Sequence, residues 1–422
     1  MVVGYSGYYL CRSNLSVLMP LIIDDLVAHG VNPDLAKVRM GLVASLGILG
    51  YAICKFCAGG LADLLGGRRG FLVGMGGIVI CTALFAVGGG MPIFTIAWLG
   101  NRCFQSMGWA GMVKISARWF AYTAYGRVMA ILSLAYLFGD AASRAFMGYL
   151  LSLGFGWRAI FFVTAGIMGF LFACSYILIK DSPQHIGEEE PPEDVSLMDS
   201  SGGDVNVRSF LKTLLRNNAF RLVCVLSFGL TLVRETFNTW TPTYFVELVG
   251  FTHQQAATHS AWFPFFGGIS VLIAGYLGDK FGRSGRALLI LCALVAATFA
   301  LFSLSYVDAG SAKMTSIMLI SAVGLLLIGP YSFLAGALAL DFGGKRAGAT
   351  AAGIIDGVGY LGGYLAGQVM AKISVLFGWQ GAFVTLACVA ALSSVVAALF
   401  AADQSKVFAL ATTTRAGRTS LS

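Results

Sequence analysis

Charge is scarce in this chain. Asp, Glu, Lys and Arg make up 11% of its 422 residues, where a soluble domain carries about 25%. That deficit, with 57% apolar residues and a mean hydropathy of +0.80, excludes an ordinary water-soluble globule. Histidine is scarcer still. Its four copies, His29, His185, His253 and His259, fall in loops or near predicted helix ends, so no histidine relay is available at mid-membrane depth. No Ser/His/Asp set, metal-ligand spacing or phosphate-cradling GxxxxGK loop occurs. An enzyme is therefore not expected, nor a metal, nor a cofactor. The nine cysteines scatter through apolar stretches and suggest no disulfide framework. Cys54 and Cys57 form a CxxC inside an apolar run, where packing is the expected role.

Long apolar runs are what the chain has instead. Twelve lie near 3–26, 40–62, 71–91, 94–117, 127–152, 159–180, 219–246, 256–278, 286–307, 313–340, 347–374 and 380–401. Each is long enough to cross a hydrocarbon core of ~30 Å at ~1.5 Å per residue. Barrel strands would be ~10 residues long and would alternate. The expected fold is an all-α membrane protein with twelve transmembrane helices embedded in a lipid bilayer. The net charge of +8 does not mark a nucleic-acid binder, because the basic residues sit in alternate loops. Arg68 and Arg69, Arg118, Lys180 to Arg216, Lys280 to Arg286, and Lys345 with Arg346 form one set. The positive-inside rule puts that set, and both termini, in the cytoplasm. A plasma or bacterial inner membrane is expected rather than an organelle membrane. The first run is not read as a signal peptide, since Arg12 interrupts it and no small-residue cleavage site follows.

The chain repeats itself. Arg12 and Pro20 recur as Arg234 and Pro242, both 222 positions on, and GWRAIFF at 156–162 recurs as GWQGAFV at 378–384 with the same offset. GGLADLLGGRR at 59–69 recurs loosely as AGYLGDKFGRSGR at 274–286, with Asp63 answering to Asp279. A shared offset over several landmarks indicates a duplicated six-helix unit. The expected organisation is a six-helix bundle over 1–180, a Pro-, Gly- and acid-rich cytoplasmic linker over 181–218, a second bundle over 219–403 and a cytoplasmic tail over 404–422. Parallel six-helix repeats are the plan of the major facilitator fold, with a site near the midplane where the halves meet.

Arg12 lies in YYLCRSNLSVLMP, about half-way through the first span. An arginine at a helix centre costs ~2.5–3.5 kcal/mol on insertion scales, so it marks a functional position by default. Arg234 occupies the equivalent point of the seventh span, in VRETFNTWTPTYF. Two permanent charges facing each other across a pseudo-twofold axis form a clamp for an anion, best of all phosphate, whose oxygens match the guanidinium fork. Glu235 is adjacent to Arg234, but neighbouring helix residues point ~100° apart, so it is expected to be a poor partner.

The stretches YYLCRSNLSVLMP, GYAICKFCAGGLADLLGGRR, FQSMGW, KDSPQHIG, VRETFNTWTPTYF and GATAAGIIDGVGYLGG together resemble the organophosphate:phosphate antiporter family of the major facilitator superfamily. The resemblance implies exchange of a phosphorylated metabolite, such as a sugar phosphate or glycerol phosphate, for inorganic phosphate. It implies that Arg12 and Arg234 hold the phosphoryl group and that Lys55, in the second helix, joins them. Tyr9 and Tyr5, one and two turns before Arg12, together with Trp109, Tyr136 and Tyr360, are the expected cavity aromatics. Asp63, Arg68, Arg69, Asp279 and Arg283 are expected to gate the cytoplasmic side. A monomer is expected.

The chain also departs from that pattern. Ser13 follows the first arginine where bacterial members carry a basic residue, and Tyr136 falls where the glycerol-phosphate type has a histidine. Asp140 and Arg144, four apart in the fifth span, are expected to pair. Arg102 and Asp356 are further charges with expected gating or coupling roles. Asp356 is suited to binding a sugar hydroxyl or to pairing with Lys55 or Arg102. These residues leave a second reading open: a proton- or sodium-coupled symporter of carboxylates or other small organic anions, driven through Asp140 or Asp356. A receptor that only senses a sugar phosphate is disfavoured, because neither linker nor tail is large enough for a soluble output domain.

Overall fold

In hydrocarbon a backbone N–H or C=O has no water to pair with, so each apolar run closes its hydrogen bonds internally as a helix. The computed structural model of the chain describes residues 1–120, 122–188, 212, 214–308 and 313–419. Side chains are described within these except at 56–65, 122–127, 129–130, 134, 136–137, 186, 283–284, 344–347, 349 and 405–419. Among the described residues there is no strand.

The helices of the first half are α1 (Val2–Ala28), α2 (Pro33–Leu65), α3 (Gly67–Val87), α4 (Met91–Trp119), α5 (Tyr122–Ser152) and α6 (Trp157–Leu178). The second half holds α7 (Asn218–Glu247), α8 (His253–Ser260), α9 (Trp262–Leu304), α10 (Lys313–Phe333) and α11 (Ala339–Thr419), with a π-turn over Leu334–Leu338 between the last two. α9 and α11 each contain two spans. Gly282 turns α9 with φ 65°, ψ −159°, and Gly378 turns α11 with φ 67°, a region open to glycine. With α8 leading into α9, the spans among the described residues number twelve.

Seven apolar segments among the described residues are long and hydrophobic enough to cross a bilayer, and α1, α4, α5 and α7 are not among them. These four carry the charges Arg12, Arg102, Asp140 with Arg144, and Arg234 with Glu235, and the faces that bear them turn to the interior. α2 starts at Pro33, well before the apolar run near 40 that marks it in sequence, because its outer turns pack against the other half. Most of the expected linker, 189–211 and 213, lies outside the described residues.

The duplicated motifs build matching cores. In the first half Trp157 and Phe161 pack against Phe85, with Phe85 and Phe161 stacked at 4.6 Å. In the second, Trp379 and Phe383 pack against Tyr244, whose ring meets Phe383 edge-on at 4.9 Å.

The halves join mainly at the face opposite the termini. There the nearly buried Lys37 reaches Glu247 at 2.6 Å and lies over the Trp379 ring at 4.3 Å, while Trp379 donates to the same carboxylate at 2.8 Å. His253 meets Asp24 at 3.2 Å. α2 and α11 approach so closely that a Cβ on Gly367 would lie 2.4 Å from the Gly41 carbonyl oxygen. Small residues permit that approach. Ser45 exploits it. Its hydroxyl donates to the Tyr364 carbonyl at 2.6 Å and accepts from the Gln368 N–H at 2.8 Å, the two groups that pair with each other in an unbroken helix.

Candidate functional site

The zipped α2–α11 seam runs from Gly41 down to Lys55 and Asp356 and forms one wall of a cavity of about 440 Å³ between the halves. This is within the ~300–1,000 Å³ range of small-molecule sites. Its charged lining comprises Arg12, Lys55, Arg102, Arg144 and Arg234 against Asp140, Glu235 and Asp356. Five cations face three carboxylates, leaving two positive charges in excess.

The carboxylates are spoken for. Lys55 Nζ lies 2.5 Å from Asp356, joining the halves and confirming one of the pairings open to that acid in the sequence. Arg144 pairs with Asp140 at 3.2 Å, as the i,i+4 spacing predicts, and Ser13 donates to the same carboxylate. Arg234 pairs with Glu235 at 2.7 Å. This last pair corrects the expectation that adjacent helix positions keep the two apart. Both arms are long, and Glu235, 4% exposed, is buried where its nearest charges are Arg234, Arg12 and Arg102. An unpaired buried carboxylate is so costly that it folds back onto its neighbour.

Arg12 and Arg102 have no carboxylate partner among the described residues. Arg12 sits over the rings of Tyr9 at 5.4 Å and Tyr51 at 4.9 Å. Arg102, expected in a gating or coupling role, lies in the cavity wall with its guanidinium 5.1 Å from the Tyr51 ring centre. The two charges are therefore at most about 10 Å apart and repel by roughly 1.7 kcal/mol or more at an effective dielectric of ~20. Tyr360 packs edge-on against Tyr51 at 5.3 Å and lies under Lys55 at 5.4 Å, and Tyr331 lies under Arg234 at 4.1 Å. Toward the termini, Tyr5 meets Tyr9 at 5.7 Å and Trp109 at 5.8 Å, so these aromatics line the same cavity.

The expected gating residues lie elsewhere. Arg68 donates to the carbonyls of Ile179 and Tyr176, both at 2.6 Å, and its N–H bonds to Asp181. Arg118 meets Asp181 at 3.0 Å. These contacts fasten α3 and α4 to the end of α6 within one half. Arg69 and Asp279 are exposed. The side chains of Asp63, Arg283 and Tyr136 lie outside the described residues. The eight described cysteines are free, and no described cluster of His, Cys, Asp and Glu is suited to a metal.

Sequence reading missed Tyr51, Tyr331 and Asn238. Tyr51 was discoverable, being one turn from Lys55 on the same helix face. Asn238 follows from Pro242. A proline donates no N–H to the carbonyl four residues back, so the Asn238 carbonyl is orphaned. It accepts instead from Ser16 at 2.5 Å and from Arg144 at 3.0 Å.

Twelve spans among the described residues, in two related halves around a charged central cavity, define a membrane transporter, not an enzyme. The chain belongs to the Major Facilitator Superfamily, whose family profile matches residues 1–367. Among curated proteins it is similar to the glycerol-3-phosphate transporter of Bacillus subtilis strain 168, 27% identical, covering 92% of this chain and 88% of that one. It is also similar to a probable hexose phosphate transport protein of Chlamydia pneumoniae, 24% identical over 93% of this chain and 88% of the relative. These relatives bear out the resemblance to the organophosphate:phosphate antiporters. Among solved structures, a bacterial homologue of the human lysosomal transporter Spinster shares the fold, with TM-score 0.73, 13% identity and 95% and 94% coverage of the two chains.

Proposed function

We propose that this chain exchanges a phosphorylated organic metabolite, a sugar phosphate or glycerol phosphate, for inorganic phosphate by alternating access. The observation that carries the reading is the cavity's excess of two positive charges, which a phosphate monoester or inorganic phosphate cancels as a dianion. Guanidinium forks suit its oxygens, and carboxylates near Lys55 and Arg234 offer acceptors to hydroxyls of the organic part. The names of the relatives point to the same substrate class.

The termini lie in the cytoplasm in this reading, so the state described faces inward, with the Lys37–Glu247–Trp379 cluster sealing the outer side. The molecule works as a monomer. Anion binding relieves the repulsion between uncompensated guanidinium groups and lets the halves close around it. The empty carrier closes over those charges unneutralised, which slows empty return and favours exchange over net flux. Three internal ion pairs make that barrier lower than five bare cations would.

The test is phosphate counterflow in proteoliposomes, competed by glycerol phosphate, sugar phosphates and carboxylates. Exchange predicts uptake that needs internal phosphate or organophosphate. Brisk uptake into vesicles with no counter-substrate would overturn exchange. Uptake that survives saturating phosphate but collapses with the proton or sodium gradient would replace the reading with ion-coupled transport of carboxylates.

A further inference from the structure

We propose that Arg102 is a specificity-determining residue that, with Arg12, takes the phosphoryl group in the state described, while Arg234 is held in reserve by Glu235. This inference rests on the transport reading above and sharpens it. It relocates the clamp from two arginines in opposite halves to two in the first half.

Four observations converge on Arg102. It is 4% exposed yet lines the central cavity. One of its donors, Nη1, reaches Gln105 at 3.3 Å, and its buried Nε has no partner. A guanidinium buried with an unspent donor is costly unless something supplies an acceptor. It shares the Tyr51 ring with Arg12, which keeps the two guanidinium groups within about 10 Å of each other, and both line the same cavity. Finally, the backbone makes room for it. Gly47 on α2 faces its stem, and a Cβ there would lie 3.0 Å from Arg102 Cγ and 2.5 Å from the Trp98 ring.

Arg234 lines the same cavity and its Nε is also buried without a partner, but it differs in charge compensation. Its charge is matched by Glu235 at 2.7 Å, so an anion reaching it must first displace a carboxylate. Arg12 and Arg102 ask for no displacement. Two uncompensated guanidinium groups match the two charges of a phosphate monoester dianion, and they favour it over a singly charged carboxylate. Because α1 and α4 belong to the same half, the phosphoryl group stays with that half when the cavity reopens on the other side. The organic part is left to meet Glu235, Asp356 and Tyr331 on the second half.

The experiment is phosphate counterflow with purified wild type, Arg102→Gln, Arg102→Lys, Glu235→Gln and the double variant Arg102→Gln/Glu235→Gln. Arg102→Gln should raise the phosphate KM roughly tenfold or more, the scale of one charged hydrogen bond. Glu235→Gln in that background releases Arg234 and restores the excess of two charges, so the double variant should recover most of the lost affinity. A merely structural role for Arg102 predicts no such rescue. Arg102→Lys keeps the charge without the fork and should fall between wild type and Arg102→Gln, which keeps the test intact if the glutamine protein does not fold. A phosphate KM within about twofold of wild type in both single Arg102 variants, or a double variant no better than Arg102→Gln, overturns the proposal. Wild type that shows no phosphate-dependent counterflow sinks the transport reading itself, whatever the variants do.

Discussion

Ser16 and Asn238 occupy equivalent positions of the two halves, 222 residues apart, and they are bonded to each other. The Ser16 hydroxyl donates to the Asn238 carbonyl at 2.5 Å. A bond between symmetry-equivalent residues must lie close to the pseudo-twofold axis. It sits one helical turn beyond Arg12 and Arg234 and closes that side of the cavity. The acceptor exists because Pro242 leaves it without a helical donor. Pro242, read first with Pro20 as a marker of duplication, thus has a physical use at the axis.

Pro242→Ala should weaken that crossing. The new N–H pairs with the Asn238 carbonyl inside α7, and Ser16 and Arg144 lose the best of their acceptor. Stability in detergent should change by no more than ~1–2 kcal/mol, since helix propensity gains offset the lost contacts. Exchange turnover should fall by about tenfold with phosphate affinity retained. Unchanged turnover in the counterflow assay would show that the axis contact does not govern movement of the halves.

The α2–α11 seam is predicted to control closure of the face opposite the termini. In Gly367→Val the added atoms meet the Gly41 carbonyl and Ser45, with no flexible neighbour to yield. Spin labels at Asn32→Cys and Thr252→Cys, both at exposed outer positions, should separate by several ångströms, on the scale of a packed side chain, and transport should be lost. A distance distribution unchanged from the Gly367 parent would disprove this role for the seam.

Lys55 and Asp356 should behave as one unit. Lys55→Ala strands a carboxylate in the proposed anion site, and a phosphate KM about tenfold or more higher is expected. Asp356→Ala added to it should recover part of the loss. A double-mutant cycle on phosphate affinity should give a coupling above ~1 kcal/mol. Additivity within ~0.5 kcal/mol would mean that the pair does not act on the substrate.

Arg12→Lys keeps a charge but discards the fork, and phosphate exchange should fall by about a hundredfold. Glu235→Gln alone should do the opposite to binding. It frees Arg234, tightens phosphate several-fold at low salt and slows exchange, because release now works against an extra cation. Weaker phosphate binding in Glu235→Gln would contradict the assignment of Glu235 as the occupant of Arg234.

The repeat, the twelve spans, the intramembrane charges and the Asp140–Arg144 pair were legible because they depend on spacing alone. A long polar linker, a constant offset and an i,i+4 interval are properties of the string. The Lys55–Asp356 contact was legible only as one of several pairings, since it crosses between halves 301 residues apart. The position of Arg102 was not legible. A helix position does not reveal which neighbour is a glycine, and Gly47, on another helix, creates the space its stem fills. Glu235 was misread for a related reason: backbone direction separates it from Arg234, but burial decides where its carboxylate goes. The gating roles of Arg68 and Arg69 rested on a loop motif, and the contacts of Arg68 are satisfied within one half.

The cavity's two surplus charges have an electrical consequence. A membrane voltage acts on net charge with ~2.3 kcal/mol per elementary charge per 100 mV across the full field. In the proposed exchange, a dianion in the site leaves the cavity lining and its cargo with no net charge to move through that field. A cell could then swap phosphoryl compounds at a rate its resting potential neither drives nor resists, while the vacant protein alone would feel the voltage.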